Sequence, residues 1–106
     1  LSTGSFNQEI LRLIEESRLL RREISALRSM LTEVEEALRL LNKIGWKRRF
    51  FRALAGLLIE IPPEEAKEYL SERKEVLETR LKSLEERERK VRSMLSRALK
   101  AVPETS

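Results

Sequence analysis

Eleven positions, Phe6, Ile10, Leu13, Ser17, Leu20, Ile24, Leu27, Leu31, Val34, Leu38 and Leu41, follow one another at strictly alternating steps of four and three, and all but Ser17 are apolar. An apolar stripe that recurs every 3.5 residues stays in line only where a helix buries it against a partner helix, so this run is the seam of a coiled coil. A second run, Leu70, Lys74, Leu77, Leu81, Leu84, Glu88, Val91, Leu95, Ala98 and Val102, keeps the same alternation. The chain therefore carries both halves of one coiled coil. Laid antiparallel, Leu38 faces Leu70, Leu27 faces Leu81, Leu13 faces Leu95, Leu41 faces Lys67 and Phe6 faces Val102. The polar seam residues then fall opposite apolar ones: Lys74 against Val34, Glu88 against Leu20 and Ser17 against Val91. Polar seam residues trade stability for a unique register, and their stems snorkel toward water.

Two helices of about 37 residues, each on the order of 55 Å long, make a rod rather than a globule. Charged residues at 38% and aromatics at 5% agree with a mainly α chain whose helical surface mostly faces water. The expected organisation is a single domain over 1–106, with a helix over 5–42, a connector containing a hairpin over 46–61, and a helix over 62–102. Ser5 and Gln8 have the spacing of a capping box at the first start. Asn42 and Gly45 are read as the first stop and Pro103 as the second. At Ile61-Pro62-Pro63-Glu64-Glu65 a proline falls where a missing N–H costs nothing, and two carboxylates meet the positive end of the helix dipole.

The chain has no Cys and no His, which removes disulfides, thiolate sites and the residues that most often serve as catalytic base or nucleophile. Carboxylate pairs such as Glu15-Glu16, Glu35-Glu36 and Glu85-Glu86 lie on exposed helix surface rather than in a cleft. An enzyme is not expected, nor a metal site, nor a cofactor. No apolar run is long enough for a membrane span, and the first residues lack the pattern of a signal peptide. A cytoplasmic protein is the expectation, and the Glu/Lys/Arg-rich, Cys-free composition suits a thermophile.

The connector, residues 43–61, is longer than a helix reversal needs. Leu57 to Ile61 is apolar, bounded by Gly56 and Pro62, and reads as a strand; Phe50 to Leu54 can pair with it across Ala55-Gly56 to make a hairpin. An amphipathic helix presenting Trp46, Phe50, Leu54, Leu57 and Ile61 fits the periodicity equally well. The connector also holds five basic residues and one acidic one, a surplus equal to the net charge of +4 of the whole chain. Lys47, Arg48, Arg49 and Arg52 interleaved with Trp46, Phe50 and Phe51 are chemically suited to phosphates and stacked bases. A basic coiled-coil scaffold or nucleic-acid-binding protein is therefore the alternative reading.

The stretch from Phe51 to Ala98, with Phe51-Arg52-Ala53-Leu54-Ala55-Gly56-Leu57-Leu58-Ile59-Glu60-Ile61-Pro62-Pro63-Glu64-Glu65-Ala66 followed by a Leu/Glu helix, resembles the β-type subunit of prefoldin in its archaeal form. Thr32 to Leu38 is similar to the end of the family's first helix. A single hairpin between two helices matches the β-type, where the α-type has two. The chain departs from the family at Ala55, where a turn glycine is usual, and in Arg12, Arg18, Arg21, Arg22 and Arg28 of a first helix that is commonly glutamine-rich.

The resemblance implies an ATP-independent chaperone subunit. Phe50, Phe51, Leu54, Leu57, Leu58, Ile59 and Ile61 would join hairpins of other subunits in an oligomeric β-barrel platform. The hexamer would contain two α-type and four β-type chains. Unfolded client proteins would be held at the coiled-coil tips by Phe6, Ile10, Leu11, Ile14, Met94, Leu99 and Val102, with a chaperonin as a further partner. Physics asks for assembly on its own account, because a lone two-stranded apolar hairpin is marginal in water.

Overall fold

A computed structural model describes residues 3–44 and 47–102. The side chains of Thr3, Ser5 and Phe6, and the whole of Gly45, Trp46 and Pro103, lie outside the described residues, as do the roles expected of them. Helix α1 spans Thr3–Ile44, strands β1 and β2 span Phe50–Leu54 and Leu57–Ile61, and helix α2 spans Pro63–Lys100. The first helix thus starts earlier and ends later than the expected 5–42, and the second stops short of the expected 102. No Gly or Pro interrupts either helix between residues 5 and 44 or beyond Pro63. Exposed pairs reinforce α1: Arg12 to Glu9 at 2.7 Å and Arg18 to Glu15 at 2.8 Å, each three residues apart.

The start of α2 follows the proline logic. The Pro62 carbonyl accepts the first helical hydrogen bond from the Ala66 N–H at 3.1 Å. Pro63 occupies the first helical position, where its missing N–H leaves no gap in the ladder. Glu64 and Glu65 fill the first turn and Arg97 and Lys100 the last, each complementing the dipole at its end.

The chain divides into two units, Leu1–Ala26 with Leu81–Ser106, and Leu27–Arg80. In the first, α1 and α2 segments bury Ile10, Leu13, Ser17, Ile24, Glu88 and Val91, with Leu13 at 1% exposure and Val91 at 0%. In the second, Leu27, Leu41, Ala66 and Leu77 are buried, while Leu31, Val34, Leu38, Leu70 and Lys74 are half-buried. Cross-helix ion pairs fit the antiparallel register: Lys74, set opposite Val34, reaches Glu35 next to it at 3.7 Å, and Glu88, set opposite Leu20, takes Arg21 at 3.2 Å.

The seam departs from expectation at its start in α2, where Ala66 is buried and Lys67 is exposed. The small Ala66 takes the place expected of Lys67, and the ammonium stays in water rather than facing Leu41. At the other end Val102 lies beyond the last helical turn and is exposed.

Candidate functional site

The connector is a hairpin, and the helical alternative is not what forms. Its two strands pair antiparallel, Phe50 with Ile61, Phe51 with Glu60, Arg52 with Ile59, Ala53 with Leu58 and Leu54 with Leu57, leaving Ala55 and Gly56 as a two-residue turn. Both turn residues have positive φ, 49° and 81°, as the tight turns that match strand twist require. Glycine accepts that geometry freely, whereas Ala55 holds it against its own Cβ.

Directly paired residues share a face. One face carries Phe50, Ile61, Arg52, Ile59, Leu54 and Leu57; the other carries Phe51, Glu60, Ala53 and Leu58. Phe50 and Ile61 are half-buried, near α2, and the Arg52 guanidinium stands 4.3 Å from the centre of the Tyr69 ring. Beyond that foothold the hairpin is open. Phe51, Leu54, Leu57, Leu58 and Ile59 are all exposed, Leu58 at 74% and Leu57 at 65%. Among the described residues the sheet has two strands, so each also presents an unpaired backbone edge.

The basic residues of the connector are partly committed. Arg49 forms a two-pronged ion pair with Glu60, both bonds at 2.8 Å, and lies 5.6 Å from the centre of the Phe51 ring. That hydrogen bonding is the main cause that holds the Glu60 carboxyl below its usual range. With Arg49 on Glu60, Arg52 on Tyr69 and Lys47 also engaged within the chain, the cationic surface suggested for nucleic acid is reduced.

The second expected site lies on the helix ends of the first unit. Leu11, Ile14, Leu19 and Leu99 are exposed there, and Met94 is half-buried. Ile10, expected to meet clients, is instead packed in the closed seam. Sequence reasoning missed the bracket that closes it. Glu88, 4% exposed, accepts hydrogen bonds from Arg21 of α1 and from Arg92 one turn on in α2. Nearby, Glu16 takes Arg87 across the helices at 2.6 Å and Arg12 along α1 at 3.4 Å. The Glu88 carboxyl is held below its usual range chiefly by the Arg92 hydrogen bond, then by Arg21, against the opposing effect of burial. The signal in the sequence was an arginine four residues after a seam glutamate, together with an arginine beside the residue facing it.

Among the described residues no helix is long and apolar enough to cross a membrane, and no cluster of acidic ligands is arranged to hold a metal ion.

The sequence profile of the Prefoldin subunit family matches residues 8–102. This chain belongs to the prefoldin subunit family, on the β-type pattern of two helices joined by one hairpin. Its fold is similar to that of the prefoldin beta subunit from Thermococcus strain KS-1, with a TM-score of 0.83 at 21% identity, covering 91% of this chain and 84% of that one. It is also similar to the prefoldin beta2 subunit from the same strain, with a TM-score of 0.77 at 27% identity, covering 83% of this chain and 94% of that one. No curated protein sequence matches it. The family is one of chaperone subunits rather than enzymes.

Proposed function

We propose that this chain is an ATP-independent chaperone subunit that assembles through its hairpin with α-type prefoldin subunits and further β-type copies, and holds unfolded protein on the apolar ends of its helices. The observation that carries the assembly reading is the hairpin's exposure of large apolar side chains on both faces at once. Full burial of each leucine or isoleucine against a neighbouring subunit is worth about 1.5–3 kcal/mol, and strand addition would satisfy the open edges.

Client holding is supported by Leu11, Ile14, Leu19 and Leu99, large apolar side chains left exposed on the helix ends of the first unit, since covering them with apolar segments of an unfolded chain removes both from water. The neighbouring seam is closed, with Ile10 and Leu13 buried, so in this reading the outward residues meet the client while the seam holds the helices together. The test replaces Leu11, Ile14, Leu19 and Leu99 with Gln in the assembled complex and follows light scattering of a denatured client on dilution. Loss of protection at unchanged complex mass and helical content is expected. Protection equal to that of the original chain would remove the helix ends from client holding.

A further inference from the structure

Helix α2 carries two exposed charge stripes of opposite sign, one in each unit. In the second unit Glu64, Glu68, Glu72, Glu75 and Glu78 recur at steps of four and three and are all exposed. In the first unit Arg89, Ser93, Ser96 and Lys100 recur at the same steps. Together with Arg92 and Arg97, they line an open groove. From residue 89 to residue 100 the helix has five cations and no carboxylate. Elsewhere many charges are matched within the chain, as Arg12, Arg18, Arg21, Arg49 and Arg87 show, and within the basic stretch Arg92 is held by Glu88. Among the described residues, none of those five glutamates has an ion-pair partner, and neither do Arg89, Lys90, Arg97 or Lys100.

We propose that the basic stripe of one copy is a docking surface for the acidic stripe of a second copy, with the two α2 segments laid antiparallel. The spacing matches: Glu64 and Glu75 are eleven residues apart, as are Arg89 and Lys100, about 16 Å on a helix. That arrangement sets Glu64 against Lys100, Glu68 against Arg97 and Glu75 against Arg89. The short serines let the partner helix approach between the longer cations, whose forks and ammonium groups reach its carboxylates. A nucleic acid would meet the basic stripe equally well but would be repelled by the acidic one, whereas a second copy uses both. Single exposed ion pairs contribute little, so the contact depends on the whole row and weakens as salt screens it. It is separate from the hairpin interface, which is apolar and persists in salt.

The test is sedimentation velocity of the full chain at low salt and at about 1 M salt, where the Debye length is about 3 Å. Three proteins are compared: the unchanged chain, a variant with Arg89→Glu, Arg97→Glu and Lys100→Glu, and one with Glu68→Lys, Glu72→Lys and Glu75→Lys. All substituted positions are exposed, and circular dichroism confirms that each variant keeps its helices. The unchanged chain is expected to show an additional heavier species at low salt that disappears at high salt. Each variant alone should lack it, and an equimolar mixture of the two variants should restore it. Absence of the heavier species, its persistence in either variant, or failure of the mixture to restore it overturns the proposal. So does binding of a single-stranded oligonucleotide to the basic stripe with no self-association.

Discussion

The helical seam of the first unit and the hairpin are built from the same kinds of side chain and treat them in opposite ways. Leu13 and Val91 are shut off from water, while Leu57 and Leu58 are among the most exposed large apolar residues described. The difference lies in geometry rather than composition. A seam helix gathers its apolar residues on one stripe, and the antiparallel return of the chain supplies a second stripe to cover it. A two-stranded sheet places alternate residues on two faces, and here both faces are apolar, with one helix to lean on. The chain thus completes its own coiled coil and leaves its sheet unfinished, which is the form of a subunit.

The widest separation between the two regions should appear on truncation. Leu13→Ala removes a fully enclosed side chain and should cost about 2–5 kcal/mol, seen as a lower urea midpoint of the helical circular dichroism signal. Leu58→Ala, at an exposed strand position, should leave the same melt within about 0.5 kcal/mol. Comparable losses in both would mean that the hairpin is already covered within the chain.

A smaller effect separates the apolar from the polar part of the seam. Glu88→Leu removes a buried carboxylate while its partners Arg21 and Arg92, themselves largely exposed, return to water. Replacing a buried ion pair by a well-packed apolar residue is often neutral or stabilising by about 1–4 kcal/mol, so the variant should melt no lower than the original. Its pH dependence should differ too. Because the Glu88 carboxyl is held low in the folded chain, its contribution is complete above the unfolded carboxylate value near 4.3. That contribution is lost as pH falls through the lower folded value. Acid melts of the Leu variant should lack that component; identical acid limbs would show that the bracket does not hold the seam.

The smallest effect belongs to the turn. Ala55 has φ of 49° where a Cβ is disfavoured by about 1–2 kcal/mol, so Ala55→Gly should stabilise the hairpin by about 1 kcal/mol after its entropic penalty. Gly56→Ala meets no neighbouring atom but adopts φ of 81°, and should lose about 1–2 kcal/mol. Amide exchange of the strand residues reads both changes.

Much of this fold was legible because the seam repeats. A 3.5-residue pattern is redundant enough to survive Ser17, Lys74 and Glu88, and Gly56 and Pro62 mark the limits of β2. Where the repeat begins in α2 it failed, at Lys67, because Pro63 starts the helix there and a long cation gains more from water than from the seam. Periodicity could not choose between hairpin and helix for Phe50 to Ile61, since Leu57, Leu58, Ile59 and Ile61 leave little polar alternation to read. The Arg21–Glu88–Arg92 bracket was hidden for another reason. It joins two helices, and a cross-helix partner becomes visible only once the register is fixed in space.

The central claim is that the coiled coil is complete within one chain and the hairpin is completed by others. The measurement is the mass by light scattering of the chain mixed with an α-type prefoldin subunit, compared with the same mixture containing Leu58→Lys and Ile59→Lys. Two charges forced into an apolar interface carry a large desolvation penalty, so the variant should remain as separate subunits with its helical circular dichroism intact, while the original chain assembles. A double variant that assembles to the same mass as the original would contradict the claim.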